Sequence, residues 1–474
     1  MTQSVAPGAI FPRSRLVVVV VVLAAFVISV VFVRGGRRIS NGPNIVVILT
    51  DDQSPDTLPH DPPAMPYLQR RIDDPSDRWI KFPNAFINTP LCCPSRATIL
   101  SGLYSHETGV LRNEDGHLFQ DASTVASWLN GVGYWTGLVG KYLNRYPFDR
   151  EPFIPPGWDE WAAKMHGDVT SVYFDYRLFE NGQVVHYGVE PKDYMPDVLT
   201  TKAVDFIRNA PEGRPFFLYF APTAPHAPWV PAPRHEGAFS KLRIDKQPNY
   251  NEEDVTDKPA WVQALNEVKK RKERILDFQH RNELEALLGV DDSIRAIFEA
   301  LEQRNSLDDT VVFFLTDNGY SFGEHRLIGK RCAYDECAKT PFYVRYPDVV
   351  SREDRTVISN ADLAPTIAGL AETAPSTRVD GLDLSRVLAG NRRIHRPGVL
   401  IEWAGDQDVP PYNALRTQEF LYVEYPTTGE RELYDLRGAV GHSDPYGLKN
   451  VAGEREFRGI ERRLESQLAA TLAR

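Results

Sequence analysis

Two pairs of polar side chains follow directly after two of the most apolar runs in the chain. Asp51 and Asp52 come after NIVVILT, and Asp317 and Asn318 come after TVVFFLT. In open α/β sheets ligands bind beyond the carboxyl ends of the strands, so we expect the two pairs to lie together. Carboxylate and amide oxygens suit a hard divalent cation, Ca²⁺ before Mg²⁺. A single aspartate after a strand is usually a cap or turn residue, but two such pairs predict a metal site.

Two basic side chains follow other apolar runs and are expected at the same edge of the sheet. Lys141 comes directly after WTGLVG, and His226 lies in the proline-rich loop after PFFLYFA. A solvated lysine and a structural histidine in a turn are the ordinary alternatives for each residue alone. Their shared position after strand-like runs favours a cationic pocket beside the metal, as an anionic substrate requires.

The stretch LCCPSRATILSG (91–102) places two cysteines just before a predicted helix. Pro94 is expected at the first position of this helix, where its missing N–H costs nothing. A helix N-terminus favours anions, and Arg96, one turn in, can offer two donors to an oxyanion. Cys92 and Cys93 are therefore candidates for a reactive thiolate, although a pair of buried cysteines that only pack fits the spacing as well.

The same stretch resembles the signature of the formylglycine-dependent (type I) sulfatases, C-x-P-S-R followed by A-T-I-L-S-G. The resemblance implies that Cys92 is oxidised after translation to formylglycine (3-oxoalanine). It also implies a formylglycine-generating enzyme as a partner. Pro94, Ser95 and Arg96 would complete the recognition motif, and Cys93 would fill its variable position.

Further motifs match this family in order along the chain. They are the Asp51-Asp52 pair, GKYLN around Lys141, APTAPHAPW around His226, TDNG at Asp317 and GEHRLIGK ending at Lys330. TPLCCPSR, PPGWDEW and YFDYRLFENG are similar to the branch of N-acetylglucosamine-6-sulfatases and other glycosaminoglycan sulfatases. The resemblance implies an alkaline-phosphatase-like fold and hydrolysis of a sulfate monoester on a carbohydrate.

The resemblance also implies a role for each candidate residue. The divalent cation would be held by Asp51, Asp52, Asp317, Asn318 and residue 92. Charge on the sulfate oxygens would be offset by Arg96, Lys141 and Lys330. His226 or Lys330 would protonate the leaving alcohol, and Asp317 would accept a proton from the nucleophile.

Two positions depart from the family pattern. Leu143 stands two residues after Lys141, where many sulfatases have a histidine, and Ser321 stands where this branch often has one. The identity of the base that completes turnover is therefore left open. Two other functions also stay open. One is a phosphonate monoester or phosphodiester hydrolase with the same site, and the other is a membrane-tethered, non-catalytic binding protein with unmodified Cys92.

The elements that must position these residues alternate along the chain. Short apolar runs typical of buried parallel strands are NIVVILT, WTGLVG, PFFLYFA, TVVFFLT and PFYVRY, with helix-like stretches between them. This pattern predicts an α/β domain over residues 44–381, with a mostly parallel central sheet flanked by helices. EFLYVEY and RELYDL predict an antiparallel hairpin, and a charged helix follows, so residues 382–474 are expected to form a smaller α+β domain.

Composition narrows the function further. A net charge of −10 over 474 residues excludes a general nucleic-acid-binding surface. Four cysteines are too few for a disulfide scaffold. Cys332 and Cys337 are spaced for a local disulfide outside the cytoplasm, or for two cysteines on one face of an element.

The N-terminal segment differs in kind from the rest. Leu16 to Val33 contains no charge, proline or glycine and has arginines on both sides. We expect an uncleaved transmembrane signal-anchor, with residues 1–15 in the cytoplasm and residues 34–43 as a linker. The catalytic domain is then membrane-anchored and extracytoplasmic, or secreted if the segment is cleaved.

Overall fold

The apolar runs NIVVILT, WTGLVG, PFFLYFA and TVVFFLT form the central strands of the fold, and all four lie within the residues that the structure describes. The computed structural model describes residues 1–4, 8, 40–167, 172–392, 394–437 and 444–473. Within these ranges no helix is both long enough and apolar enough to cross a membrane. The predicted signal-anchor, Leu16 to Val33, lies outside the described residues. The chain divides into two units, Met1–Ile39 and Ser40–Arg474, and the second contains all the elements below.

The strands follow one another along the chain with mostly short lengths. In order, they are β1 (Asn44–Thr50), β2 (Trp79–Lys81), β3 (Ala85–Phe86), β4 (Trp135–Gly140), β5 (Glu160–Lys164), β6 (Tyr176–Glu180), β7 (Gln183–Tyr187), β8 (Phe216–Ala221), β9 (Thr310–Thr316), β10 (Ser321–Phe322), β11 (Ile328–Gly329), β12 (Tyr343–Arg345), β13 (Arg352–Glu353), β14 (Ile358–Ser359), β15 (Val399–Trp403), β16 (Tyr412–Arg416), β17 (Phe420–Glu424) and β18 (Arg431–Asp435).

The helices range from single turns to one of 34 residues. In order, they are α1 (Pro66–Asp73), α2 (Cys92–Ser101), α3 (Ser105–Thr108), α4 (Val125–Gly131), α5 (Met195–Asn209), α6 (Ala260–Gln263), α7 (Lys270–Gln303), α8 (Asp335–Ala338), α9 (Leu363–Leu370), α10 (Ser385–Leu388) and α11 (Arg458–Leu472).

Ten of the described strands form one sheet in the order β13-β2-β12-β9-β1-β8-β4-β5-β6-β7. The five middle strands, β9 to β5, are parallel to one another, which confirms the predicted α/β fold with a mostly parallel central sheet. Strand β1 lies at the centre, with Val47 between Tyr219 of β8 and Phe313 of β9. The carboxyl ends of β1, β9, β8, β4 and β5 therefore share one edge of the sheet.

Helices cover both faces of this sheet because successive residues of a strand point to opposite sides. Val47 belongs to the core that α2, α4 and α9 cover, together with Leu129 of α4. Its neighbour Ile48 belongs to the opposite core, with Leu199 of α5 and Leu287 of α7. Both faces of β1 are thus buried, as expected for a parallel strand without a polar alternation.

The run PFYVRY forms β12, but the prediction of a parallel strand there is wrong. Strand β12 is antiparallel to both of its neighbours, β2 and β9. The chain leaves β9 at the carboxyl edge, makes a long excursion through residues 317–342 and re-enters from the same edge. An antiparallel neighbour needs no crossover to the opposite edge, whereas a parallel one does.

The C-terminal part forms a separate antiparallel sheet, β15-β16-β17-β18. The predicted hairpin is confirmed, with Leu421 of β17 opposite Tyr434 of β18. The charged C-terminal helix α11 packs against this sheet through Leu464 and Leu468, which share a core with Leu415. The expected smaller antiparallel α+β part is therefore present.

Candidate active site

Strands β1 and β9 deliver the two predicted acidic pairs to the same point. The strands pair in register up to Thr50 and Thr316, so the residues that follow them start at the same level. The backbone N–H of Asp52 donates to Asp317 Oδ1 at 3.1 Å, and Asn318 Nδ2 donates to Asp52 Oδ1 at 2.7 Å. The expectation that these pairs meet is confirmed.

In the turn after β1 the backbone at Asp52 is not extended, so the carboxylates of Asp51 and Asp52 leave the chain in directions that a continuing strand would not give. Asp52 has a φ of 59°, a left-handed conformation that aspartate adopts more readily than most residues. Asp51 instead continues the strand direction and forms a bridge with Pro225 of the loop after β8. Both side chains are buried.

Cys92 lies directly against these carboxylates. Its Sγ is 3.3 Å from Asp51 Oδ1 and 3.4 Å from Asp52 Oδ1, and the residue is 0% exposed. Helix α2 begins at Cys92 itself, so the prediction that Pro94 occupies the first helical position is wrong by two residues. Pro94 is tolerated at the third position because the first-turn N–H groups of a helix have no intrahelical partners.

Three basic side chains surround the carboxylates and the sulfur. Lys141 Nζ donates to Asp51 Oδ2 at 2.6 Å. Lys330 Nζ donates to Asp52 Oδ1 at 2.6 Å and lies 2.8 Å from the sulfur of residue 92. His226 Nε2 is 3.5 Å from Asp52 Oδ2, while its Nδ1 lies 2.6 Å from Ala227 O. His226 is the most open of these groups, with 29% of its side chain exposed.

Arg96 faces inward, towards protein groups. Its Nε donates to Asp317 Oδ2 at 2.7 Å, and its Nη1 donates to the backbone carbonyl of Lys141 at 2.9 Å. Its Nη2 is 3.6 Å from Asp51 Oδ2. This Nη2 is buried and makes no hydrogen bond within the described residues, so the expected contact of the guanidinium with a sulfate stays a prediction, while Nε holds Asp317 in place.

The electrostatics of the site favour charged carboxylates next to β1. Burial alone would favour the neutral acid at Asp51, but Lys141, His226, Arg96 and Lys330 outweigh it and hold its pKa well below the usual value. Asp52 behaves in the same way, since Lys330 and His226 overcome burial and lower its pKa.

The remaining charged groups respond to the same field. Burial, and then the negative charge of Asp51, raise the pKa of Asp317 although Arg96 opposes this. Burial disfavours the charge on Lys330, but the negative groups around it raise its pKa well above the usual value. Lys330 is therefore a fixed cation at neutral pH.

The thiol of Cys92 is not set up as an ordinary thiolate nucleophile. Burial, and then the carboxylates of Asp51 and Asp52, raise its pKa well above the usual value. An unmodified Cys92 is therefore protonated at neutral pH, and a protonated thiol is a poor nucleophile. The arrangement does not support a plain cysteine enzyme.

The residues present fit a divalent cation. One ligand atom each from Asp51, Asp52, Cys92 and His226 lies within 4.8 Å of the others. In addition, the Oδ1 of Asn318 is buried and has no hydrogen-bond partner among the described residues. A buried amide oxygen without a donor, beside two ionised carboxylates held by ammonium groups, is the donor set of a hard cation.

Two residues near the site were missed by sequence reasoning. Glu283 of α7 is fully buried, and its carboxylate accepts the backbone N–H of Ser54 at 2.7 Å and the hydroxyl of Ser54 at 3.2 Å, which fixes the turn behind Asp52. The signal available in the sequence was its position four residues before Leu287, which puts a carboxylate on the apolar face of the helix. Lys164 ends β5 beside Lys141, in a strand that the sequence reading did not identify.

The two residues that depart from the family pattern, Leu143 and Ser321, lie in different surroundings. Leu143 is buried in the core beneath α2 and offers no proton-transfer group. Ser321 donates to Glu324 Oε2 at 2.8 Å within its own loop. Cys332 and Cys337 form a disulfide, so one of the two arrangements left open for them is realised.

Comparisons with known proteins agree with this geometry. A family model described as Sulfatase matches residues 43–373, and one described as N-sulphoglucosamine sulphohydrolase, C-terminal, matches residues 323–474. An arylsulfatase of Volvox carteri is 32% identical, over 90% of this chain and 74% of the relative. The N-acetylglucosamine-6-sulfatase of Homo sapiens is 32% identical, over 78% of this chain and 68% of the relative.

A solved structure of a protein in complex with its substrate D-glucosamine-2-N,6-O-disulfate has a TM-score of 0.75 to this chain. It is 24% identical and covers 91% of this chain and 97% of that one, which shows the shared fold. The Sulfatase model spans well over half of the chain, and the resemblance of the C-x-P-S-R motif is confirmed. The chain belongs to the sulfatase family and has its alkaline-phosphatase-like fold.

Proposed function

We propose that this protein hydrolyses a sulfate monoester of a carbohydrate of the N-acetylglucosamine-6-sulfate type, using formylglycine at position 92 and a divalent cation, Ca²⁺ before Mg²⁺. One observation carries the proposal. The side chain of residue 92 lies 3.3 and 3.4 Å from two ionised carboxylates and 2.8 Å from the Lys330 ammonium. The residues proposed as nucleophile, as metal ligands and as a cation for the sulfate are thus in contact.

The choice of substrate is supported by similarity. The sequence motifs of the N-acetylglucosamine-6-sulfatase branch are present, and a curated member of that name is 32% identical over most of both chains. Substrate choice depends on loops around the site, which the fold does not determine. The sugar and the sulfate position are therefore what the assay below must identify.

Each residue of the cluster has a part in this chemistry. The cation would be held by Asp51, Asp52, Asp317, Asn318 and residue 92. A hydrated aldehyde at residue 92 would supply a hydroxyl nucleophile, and the cation would lower its pKa and draw charge from the sulfate oxygens.

The chain's own groups do the rest. Lys141 and Lys330 place two ammonium groups against the carboxylates of Asp51 and Asp52, where they would stabilise negative charge on the sulfate. His226, the most exposed of the cluster, is placed to give a proton to the leaving alcohol. Asp317, which Arg96 orients, is the acceptor for a proton from the nucleophile.

Two measurements on protein from its native host test the proposal. Peptide mass spectrometry should find residue 92 lighter by the exchange of sulfur for oxygen and the loss of two hydrogens. Sulfate release should then be measured on N-acetylglucosamine 6-sulfate and on an aryl sulfate. Cys92→Ala should abolish release, with a loss of at least about 10³-fold.

Cys93→Ala is the matched control for this experiment. Cys93 neighbours Cys92 in sequence, but its side chain belongs to the core with Tyr142 and Leu143. The control should keep its rate within a few fold. An intact thiol at position 92, or a large preference for a phosphodiester over every sulfate ester, would reject the proposed reaction.

We also propose that the catalytic part is anchored to a membrane and lies outside the cytoplasm. The apolar run Leu16 to Val33 with its flanking arginines supports the anchor. The Cys332–Cys337 disulfide supports an oxidising compartment, because disulfides rarely persist in the cytosol. Protease treatment of intact cells should digest the catalytic part while carbonate washing leaves it on the membrane. Protection from the protease or release by carbonate would contradict the proposal.

A further inference from the structure

Lys164 is a cation at the edge of the active site that the proposed reaction does not use. It is the last residue of β5, and the preceding Ala163 pairs in register with Gly140 of β4. Lys141, which binds Asp51, directly follows Gly140. The two lysines therefore leave neighbouring parallel strands at the same level and at the same edge of the sheet.

Within the described residues, the positive charge of Lys164 has no carboxylate partner of the kind that the other cations of the site have. Lys141, Lys330 and Arg96 each have a carboxylate oxygen within 2.7 Å. Among the residues the structure describes, no carboxylate lies within 4.0 Å of Lys164 Nζ, which donates to the backbone carbonyl of Met165 at 3.3 Å. Lys164 is thus a partly buried ammonium with a weak, neutral partner.

The surroundings of Lys164 add to this shortage of negative charge. Burial, and then the positive charge of Lys141, lower the pKa of Lys164 to about 8, and Asp51 opposes this only in part. At neutral pH the side chain is still mostly protonated. A partly buried cation of this kind gains more from an anionic ligand than a solvated surface lysine does.

The anion that Lys164 would bind is not the sulfate that reacts. The reacting group must reach residue 92, which lies against Asp51 and Asp52. Within the described residues, Lys164 makes no hydrogen bond with any of these three side chains, although it lies close enough for the charges of Lys141 and Asp51 to act on it. A second acidic group on the same substrate could lie near Lys164 while the reacting sulfate reaches residue 92.

We infer that Lys164 binds a second anionic group of the substrate, either another sulfate on the same sugar or the carboxylate of a neighbouring uronic acid. The enzyme is then selective for polyanionic sugars over singly sulfated ones. This inference rests on the proposed function, because it names a further part of the substrate of the same site.

Three substrates test the inference. They are glucosamine 6-sulfate, glucosamine 2-N,6-O-disulfate and a disaccharide of glucosamine 6-sulfate with a uronic acid. Lys164→Met, which keeps the apolar stem, should lower kcat/KM about 10-fold or more on at least one polyanionic substrate. On glucosamine 6-sulfate the change should stay below about 2-fold, and the loss should lie mainly in KM because the contact is made equally before and during the reaction.

The variants and substrates separate the possible outcomes. Lys164→Arg should restore most of the selectivity, and Lys192→Met, at an exposed lysine, is the matched control that should change nothing. A loss confined to the disulfate identifies the second sulfate, and a loss confined to the disaccharide identifies the carboxylate. An equal loss on all three substrates, or no loss on any, would overturn the inference.

Failure of the proposed function has a different signature. If wild-type protein releases sulfate from none of the three substrates, the proposed reaction is rejected. The inference is then decided by calorimetric titration with glucosamine N-sulfate, which needs no turnover. Binding that Lys164→Met weakens about 10-fold supports it, and equal or absent binding overturns it.

Discussion

Replacing Arg96 by methionine should destabilise the fold strongly, because it removes one half of a fully buried ion pair. Arg96 and Asp317 are both 0% exposed and are joined at 2.7 Å. Breaking such a pair by removing one partner costs about 3–5 kcal/mol, since an uncompensated charge stays buried. The lost hydrogen bond to the carbonyl of Lys141 is included in this range. Urea unfolding in the presence of a chelator would measure the change.

The penalty should depend on pH through Asp317. Burial and Asp51 already raise the pKa of Asp317, and Arg96 is a group that opposes the rise. Without Arg96, the pKa of Asp317 in the folded state rises further above its pKa in the unfolded state. A carboxyl with a raised pKa in the folded state stabilises it below the unfolded pKa, and this contribution is lost as the pH rises through the folded pKa. The penalty of Arg96→Met is therefore smallest below about pH 4 and grows as the pH rises towards neutral.

A double variant provides the decisive control. Arg96→Met combined with Asp317→Asn removes both charges, so it should recover much of the lost stability although it remains inactive. The reasoning would be refuted if Arg96→Met unfolded within about 1 kcal/mol of the wild type. It would also be refuted if the double variant were no more stable than the single one.

Three other changes test separate parts of the structure. Lys330→Met removes the ammonium that contacts Asp52, and kcat/KM for sulfate release should fall by about 10²–10³-fold without loss of the folded state in calorimetry; an unchanged rate would exclude Lys330 from the reaction. Burial raises the pKa of Asp291 to about 6 in the folded state. The protonated carboxyl therefore stabilises the folded state in acid, and this stabilisation is lost as the pH rises through about 6. The stability of the wild type relative to Asp291→Asn should therefore drop by up to about 3 kcal/mol between acid and neutral pH, and a constant difference in unfolding titrations would contradict this. Replacing Cys332 and Cys337 by serine opens a five-residue link and should cost about 2 kcal/mol in urea unfolding, an effect that reductant should reproduce on the wild type alone.

The middle of the fold was readable from the sequence because burial on both faces leaves an unambiguous pattern. NIVVILT and TVVFFLT are continuous apolar runs, and Asp51 and Asp317 are the first residues after them. The outer strands carry weaker signals. EWAAK of β5 contains alanines with low strand propensity and ends in a charge, so the strand and its terminal Lys164 were not found.

The site shows the same division between local pattern and long-range packing. The strand ends predicted that the two acidic pairs meet, whereas the contact of Cys92 with them was implied only by the family resemblance. The inward direction of Arg96 could not be predicted, because it is set by Asp317, which lies 221 positions away in sequence. Glu283 escaped detection for a similar reason, since its partner Ser54 comes from a different element.

The depth at which Cys92 lies has a consequence for the proposed oxidation of this residue. All ten residues of α2 are buried, and Cys92 has no surface open to another macromolecule. Any enzyme that oxidises this side chain has to reach it while the newly made chain is still unfolded. If residue 92 is converted to formylglycine, as proposed above, the time between synthesis and folding decides whether a given copy is converted, and a copy that folds first keeps its thiol unless it unfolds again.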